Sequence, residues 1–323
     1  MELARSFVLL LVVVAAAACR AQPVAEHAAP ERWLVLGDSI AWDGRWVAHL
    51  QTWLISRRGE DAPELIDCAL PSETLSGLSE PEHLQHGFAR PCVLERLERV
   101  LDGVRPDFVL VCYGMNDAIY QPFDERRFAA FRSGVEAVMG EIEQRSLACV
   151  WLTPPPFDEA RTDVAAGARY DDVLARYSAW LVAQRGRGWS VIDTHTALSR
   201  RAAVERARDS SFTLSPDGVH LDDCGHRWFC GELVAALRSP RQPAQAETIP
   251  AHAEAPAAVE LALERLAAAQ PAALELVRLL RDAWLGETGH TRPGLPVGLP
   301  LARTRERALA LRGAIHSLAS ELR

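Results

Sequence analysis

The chain of 323 residues contains no lysine and only one asparagine, Asn116. Apart from histidine, its basic side chains are therefore all arginines, and such a bias looks genomic rather than chemical. The formal net charge of -8 argues against the basic face that is typical of nucleic-acid-binding proteins. Beyond the first 22 residues, no stretch is long and apolar enough to form a membrane helix. A hydrophobic content of 49% is ample for one sizeable core and allows a second small unit.

Residues 1–22 have the pattern of a targeting segment. Arg5 precedes an apolar stretch at 7–18, which is too short to span a bilayer comfortably, and small residues follow it. A small-residue run that ends at Cys19 suits a lipoprotein signal, in which lipidated Cys19 begins the mature chain and attaches it to a membrane. The alternative is an ordinary signal peptide cut near Ala21. In either case we expect an exported protein that is periplasmic, membrane-anchored or secreted.

Residues 31–240 alternate between short apolar runs and longer amphipathic runs. Strands are predicted at 33–37, 64–68, 107–112, 148–153 and 189–193. Helices are predicted at 44–57, 91–102, 125–145, 168–185 and about 225–238. This alternation indicates βαβ units and a parallel sheet. Because such crossovers are right-handed, the carboxyl ends of all the strands should lie on one rim of the sheet.

The remaining chain differs from this pattern. Residues 241–258 are rich in proline, alanine and glutamine and are predicted to be a linker after a main domain at 24–240. Helical patterns at about 257–285 and 300–322 predict that 259–323 forms a helical hairpin packed on the main domain. His290 and Arg292 lie in the connection between these two patterns. They either shape that connection or reach the cleft of the main domain.

Seven cysteines are present, and six remain once Cys19 is set aside, which allows fifteen disulfide pairings. Cys112 and Cys149 lie in predicted strands, so we expect them to be buried thiols. Cys224 and Cys230 flank a predicted helix start and are the candidates for a disulfide. No cysteine has a convincing metal-ligand spacing.

Ser39 follows the first predicted strand, where the chain turns into a helix. A serine hydroxyl is a poor nucleophile until a base removes its proton. His220 is the natural base, and Asp217 can reach its Nδ1 across one turn, which would fix the ring tautomer. The final predicted helix returns this Asp-His turn to the rim that carries Ser39. These residues predict a hydrolytic Ser-His-Asp site.

An acyl-transfer site also needs hydrogen-bond donors for the oxyanion that forms during attack. Asn116 ends the third predicted strand and can offer its side-chain NH₂ group. The backbone N–H of Ser39 is a second donor. A third donor is expected from the loop at 69–74, which follows the second strand.

At these positions the chain resembles the SGNH (GDSL-type) hydrolase superfamily over about residues 31–238. The first, third and last sequence blocks of that superfamily correspond to Gly37-Asp38-Ser39, Gly114-Met115-Asn116-Asp117 and Asp217-Gly218-Val219-His220. The second block normally supplies a glycine N–H to the oxyanion. Here Ser72 takes that position, with Gly77 as an alternative. The resemblance implies a three-layer α/β/α sandwich and ester hydrolysis without a metal or organic cofactor, and it leaves the tail outside.

The superfamily includes carbohydrate acetylesterases, lysophospholipases, thioesterases and lipases. Aromatic and acidic residues near a site suit sugar stacking and hydroxyl contacts. The candidates for substrate binding are Asp38, Trp42, Asp43, Glu73 and Tyr120, although Trp42 could simply pack under the first helix. We therefore expect an exported serine esterase that deacetylates carbohydrate. The alternatives are a lysophospholipase or thioesterase, and a non-catalytic glycan-binding envelope module, which would not need an Asp-His pair.

Overall fold

A computed structural model describes residues 31–165, 167–237 and 255–321. The predicted targeting segment, including Cys19, lies outside the described residues, as does most of the predicted linker. None of the described helices is both long enough and apolar enough to cross a membrane.

Five strands form one sheet, as the alternation of apolar and amphipathic runs predicted. They are β1 Arg32–Gly37, β2 Glu64–Asp67, β3 Phe108–Cys112, β4 Ala148–Leu152 and β5 Val191–Ile192. All neighbours pair in parallel, in the order β2-β1-β3-β4-β5. Nearly every strand residue is buried, because helices cover both faces of the sheet.

Ten α-helices lie within the described residues. They are α1 Ser39–Trp42, α2 Arg45–Arg58, α3 Leu97–Val104, α4 Glu125–Gln144, α5 Tyr170–Ala183, α6 Thr194–Arg208, α7 Asp223–Leu237, α8 Pro256–Arg265, α9 Gln270–Thr288 and α10 Leu301–Glu321. Helix α6 was not predicted, because its sequence is mostly polar and buries only four residues. The predicted helix at 91–102 begins later, at Leu97, after a 3₁₀ turn at Val93–Glu95.

The strand order places a topological switch point between β1 and β3, where ligands bind in open α/β sheets. Gly37 ends β1, and its partner in the register is Cys112, the last residue of β3. A Cβ atom on Gly37 would lie 2.8 Å from Cβ of Ala41 and 2.9 Å from the carbonyl oxygen of Cys112. Glycine is therefore required for α1 to approach the ends of β1 and β3 closely.

The tail contains three helices rather than the two of the predicted hairpin. The predicted helical run at 257–285 is interrupted by a 3₁₀ turn at Ala267–Ala269, and α9 starts afresh with Pro271 in its first turn. Helix α9 packs on α2 and on the edge strand β2, and α10 packs on α9 and α2. Apolar residues of the tail, such as Val277 and Ile315, belong to the same core as the sheet.

The cysteines of the described residues are free thiols. Cys224 and Cys230 both lie in α7, so the suggested disulfide between them is wrong. Six positions along a helix correspond to a rotation of about 600°, which directs the two side chains to different faces. Cys112 and Cys149 are buried in β3 and β4, as predicted, and burial raises the pKa of the Cys112 thiol well above its ordinary value.

Candidate active site

Ser39 is the first residue of α1, directly after β1. Its backbone N–H has no acceptor within the helix, because the first N–H groups of any helix precede the hydrogen-bonded turns. The side chain of Asp38 caps this end by accepting from the N–H of Ile40 at 3.0 Å. Oγ of Ser39 lies 2.8 Å from Nε2 of His220.

His220 connects Ser39 to Asp217. Nδ1 of His220 lies 2.7 Å from Oδ2 of Asp217. An ionised carboxylate can only accept hydrogen bonds, so in neutral His220 the proton is on Nδ1 and the lone pair of Nε2 faces Ser39. Burial opposes ionisation of Asp217, but hydrogen bonds from His220 outweigh it and lower the pKa of the carboxyl. The three side chains thus form a continuous hydrogen-bonded series.

The turn at 217–220 is held by its own backbone. Oδ1 of Asp217 accepts from the N–H groups of Val219 and His220, at 2.9 and 2.7 Å. Gly218 has a φ of +84°, and a Cβ atom there would lie 2.8 Å from the carbonyl oxygen of Asp158. The carbonyl of Gly218 in turn accepts from the N–H of Asp158 at 2.9 Å. A glycine is therefore needed for this turn to pack against the loop that contains Asp158.

Asn116 is buried in the loop after β3, and three neighbours fix its amide. Nδ2 donates to the carbonyl of Glu73 at 3.2 Å. Oδ1 accepts from Nη1 of Arg90 at 3.0 Å and from the hydroxyl of Tyr120 at 3.2 Å. Donors on the amide oxygen polarise the amide and strengthen its N–H groups as donors. These three contacts hold the amide of Asn116 in one orientation.

Ser72 lies in a tight turn after β2. The N–H of Glu73 donates to the carbonyl of Leu70 at 3.2 Å, Pro71 takes the second position of the turn and Ser72 the third, with a φ of +68°. That position of a type II turn favours glycine, which is the residue that the superfamily pattern has here. Gly77 also has a φ of +68°, but it lies further along and is exposed.

The structure corrects the interpretation of Glu73 as a substrate-binding residue. Glu73 is fully buried, and its carboxylate pairs with Arg96 at 2.5 and 2.7 Å. It also accepts from the hydroxyl of Tyr113 at 2.5 Å. Since both carboxylate oxygens are satisfied inside the protein, Glu73 supports the loop rather than contacting a substrate.

Asp38, Trp42 and Asp43 are likewise engaged within the protein. Asp38 is buried, and desolvation raises the pKa of its carboxyl to about 7. The guanidinium of Arg281 lies 4.2 Å from the centre of the Trp42 ring, and Asp43 forms an ion pair with Arg45 at 2.6 Å. Of the five candidates for substrate binding, Tyr120 borders a cavity.

This cavity measures about 300 Å³, and two of its lining residues, Arg90 and Tyr120, contact Oδ1 of Asn116. Its lining includes Tyr120, Val164 and the ion pair of Arg90 with Glu80, whose atoms approach to 2.5 and 2.7 Å. Arg90 and Glu80 are not among the residues predicted from the sequence. No local pattern distinguishes Arg90 from the other arginines, because its contact with Asn116 spans 26 residues.

Arg292, in the connection between α9 and α10, contacts the loop after β2. Its Nε donates to the carbonyl of Pro71 at 3.2 Å, in the turn that contains Ser72. The guanidinium also lies 4.0 Å from the centre of the Phe88 ring. His290 is partly buried in the same connection, and desolvation lowers the pKa of its imidazole.

Residues 35–228 match the GDSL-like Lipase/Acylhydrolase family. The match covers more than half of the chain, so the protein belongs to this family and is a carboxylic ester hydrolase. The expected superfamily is thereby confirmed. No curated protein sequence matches the chain significantly.

Two solved structures share the fold. One is a gut microbial diltiazem-metabolizing enzyme, with a TM-score of 0.52 and 18% identity over 64% of this chain and 46% of that one. The other is an acetyl xylan esterase, with a TM-score of 0.50 and 20% identity over 64% of this chain and 98% of that one. This chain therefore spans about half the length of the first enzyme, and identities this low show the fold alone.

Proposed function

We propose that the protein is a serine esterase in which Ser39 is the nucleophile, His220 the general base and Asp217 the residue that orients His220. The observation that carries this proposal is the hydrogen-bonded series from Asp217 through His220 to Ser39, with spacings of 2.7 and 2.8 Å. It lies at the carboxyl rim of a parallel sheet, beside the switch point where open α/β sheets bind ligands.

In the first half of the reaction, Oγ of Ser39 attacks the ester carbonyl carbon while its proton passes to Nε2 of His220. The carboxylate of Asp217 stabilises the imidazolium that results. The carbonyl oxygen becomes an oxyanion, and the N–H groups of Ser39 and Ser72 and the amide of Asn116 donate to it. The intermediate then expels the alcohol, which takes the proton from His220 and leaves an acyl group on Ser39.

In the second half, His220 removes a proton from water as the water oxygen attacks the acyl carbon. The same donors hold the second oxyanion. Collapse of this intermediate breaks the bond to Oγ, and the proton on Nε2 returns to Ser39. The carboxylic acid leaves, and the site regains its starting protonation state.

We further propose short acyl esters, foremost acetyl esters on carbohydrate, as the substrates. The support is the cavity that combines the ring of Tyr120 with the charged groups of Arg90 and Glu80, because Tyr120 and Arg90 also contact Asn116. Such a lining suits hydroxyl groups and a sugar ring rather than a long acyl chain. Since an acetyl xylan esterase has the same fold, acetylated xylan is a suitable first natural substrate.

The test is hydrolysis of p-nitrophenyl acetate, butyrate and octanoate by the protein and by its Ser39→Ala variant. We expect turnover that favours acetate and falls by about a thousandfold or more in the variant. A preference for octanoate would instead support a lysophospholipase or thioesterase. Equal turnover by the variant would rule out Ser39 as the nucleophile, and glycan binding without any reaction with a serine-directed phosphonate would indicate a non-catalytic binding module.

A further inference from the structure

Helix α1 has only four residues, so it cannot satisfy its own last carbonyl groups. Two of these carbonyls, on Trp42 and on the following Asp43, accept from arginines of the tail helix α9. Nε and Nη2 of Arg278 donate to the carbonyl of Asp43 at 3.1 and 2.9 Å. Nη1 of Arg281 donates to the carbonyl of Trp42. Cationic donors at the carboxyl end of a helix are also favoured by its dipole.

Helix α9 packs closely over the junction between α1 and α2. Gly44 has a φ of +87° at this junction, and a Cβ atom on it would lie 3.3 Å from the side chain of Leu274 and 3.4 Å from that of Val277. Arg281 is only 3% exposed, and its guanidinium covers the ring of Trp42. The turn that presents Ser39 is thus fixed from outside by the tail.

A third arginine of the tail, Arg292, also donates to a main-chain carbonyl, in the turn that contains Ser72. Nε of Arg292 donates to the carbonyl of Pro71, directly before Ser72 in its turn. Ser72 holds a left-handed conformation that non-glycine residues adopt at a cost, so its turn needs support from its surroundings. Arg292 supplies such support through the main chain.

We propose that Arg278, Arg281 and Arg292 are positioning residues, and that the tail is an integral part of the catalytic apparatus. The family match ends at residue 228, so this support comes from a part of the chain that lies beyond it. Arg278 and Arg281 hold the turn of the nucleophile, and Arg292 holds the turn of the oxyanion donor Ser72. The inference rests on the proposed function for these two turns, because a displacement of about 1 Å in such groups can cost a hundredfold in rate.

The test uses Arg278→Met and Arg292→Met in the full chain, because both side chains are partly exposed and their loss should leave the fold intact. With p-nitrophenyl acetate, we expect each variant to lose about tenfold in kcat while KM changes less than about twofold. Because the two arginines hold separate turns, the double variant should lose about a hundredfold. Lysine at either position retains a donor and should restore part of the rate.

The matched control is Arg307→Met. Arg307 is also a tail arginine, but it pairs with Glu275 on the neighbouring helix and contacts neither turn. We expect its kcat to match that of the unsubstituted protein. An equal loss of kcat in Arg307→Met, or none in Arg278→Met and Arg292→Met, would overturn the inference.

Hydrogen exchange separates this inference from the proposed function. Arg278→Met should accelerate exchange of backbone amides at 38–45 and leave 69–74 unchanged, and Arg292→Met should do the reverse. This pattern does not depend on turnover, so it supports the positioning role even if Ser39 proves not to be the nucleophile. Unchanged exchange in both segments would contradict the positioning role, whatever the activity.

Discussion

Two of the Asp-His pairs in the described part of the chain, Asp217–His220 and Asp171–His195, differ in which ring nitrogen faces the carboxylate. His220 offers Nδ1 to Asp217 and Nε2 to Ser39. His195, in the first turn of α6, offers Nε2 to Asp171 at 3.2 Å. Nε2 of His195, which corresponds to the atom that faces Ser39 in His220, is thus occupied by the carboxylate of Asp171. An Asp-His pair activates a nucleophile only when the nucleophile faces the other ring nitrogen, as Ser39 faces Nε2 of His220.

The surroundings of the second pair explain what it does instead. Oδ1 of Asp171 also accepts from the N–H of Phe157 at 2.8 Å, and the N–H of His195 donates to Oγ1 of Thr153 at 2.9 Å. The side chain of His195 is 7% exposed, against 46% for His220. The second pair therefore fastens the proline-rich loop after β4 to α5 and α6.

The largest expected effect comes from exchanging His220 for glutamine. His220→Gln should lower kcat by about a thousandfold or more, because Nε2 of His220 is the group positioned to accept the proton of Ser39. The measurement is kcat on p-nitrophenyl acetate.

His195→Gln is the matched control for that substitution. It should keep kcat within about threefold, but it should lower the free energy of unfolding by about 1–3 kcal/mol, because a buried hydrogen-bonded group is disturbed. Similar losses of activity in both variants would mean that the orientation of the ring does not distinguish the pairs.

A smaller effect is expected when each aspartate is replaced by asparagine. Two backbone N–H groups already bind Oδ1 of Asp217, so the amide oxygen of Asp217→Asn should take that place and its NH₂ should face Nδ1 of His220. The ring would then carry its proton on Nε2 and could not accept from Ser39. We expect kcat to fall by about a hundredfold to a thousandfold.

The corresponding change in the second pair should be mild. Oδ1 of Asp171 accepts from both Phe157 and His195, so Asp171→Asn can keep both hydrogen bonds with its amide oxygen. Its kcat and Tm should stay close to those of the unsubstituted protein. A loss of activity like that of Asp217→Asn would contradict this account of the two carboxylates.

The smallest expected effect is the change with pH in the contribution of Asp217 to stability. The pKa of Asp217 is lowered in the folded protein, so its carboxylate stabilises the fold above its unfolded pKa, near 3.8. This contribution is lost as the pH falls through the lower, folded value. The difference in Tm between the protein and Asp217→Ala should therefore be largest above about pH 5 and should shrink toward pH 3. A Tm difference that grows on acidification would contradict the expectation that ionised Asp217 stabilises the fold.

Ser39, Asn116, Asp217 and His220 could be selected as candidates from the sequence because each follows a strand or turn with a clear local pattern. Hydrophobic runs indicated all five strands for the same reason. Helix α6 could not be predicted because its buried face is narrow and its sequence is mostly polar.

Other parts of the site depend on contacts between distant parts of the chain. Arg281 and Trp42 are 239 positions apart, and nothing local in either segment indicates their contact. The same holds for Arg292 and the turn at Pro71, 221 positions away. Trp42 and Asp43 were therefore assigned to substrate, whereas the structure shows them engaged with arginines. The sequence revealed which groups could react, but not which groups support them.

The tail arginines hold the two turns through main-chain oxygen atoms, which every amino acid carries. The side chains at 42, 43 and 71 can therefore change in evolution or in a mutant library without removing the acceptors that the arginines use. The residues around the two turns can therefore diverge while the same three arginines are retained. In this protein, the reactive groups and the arginines that hold their turns lie in different parts of the chain.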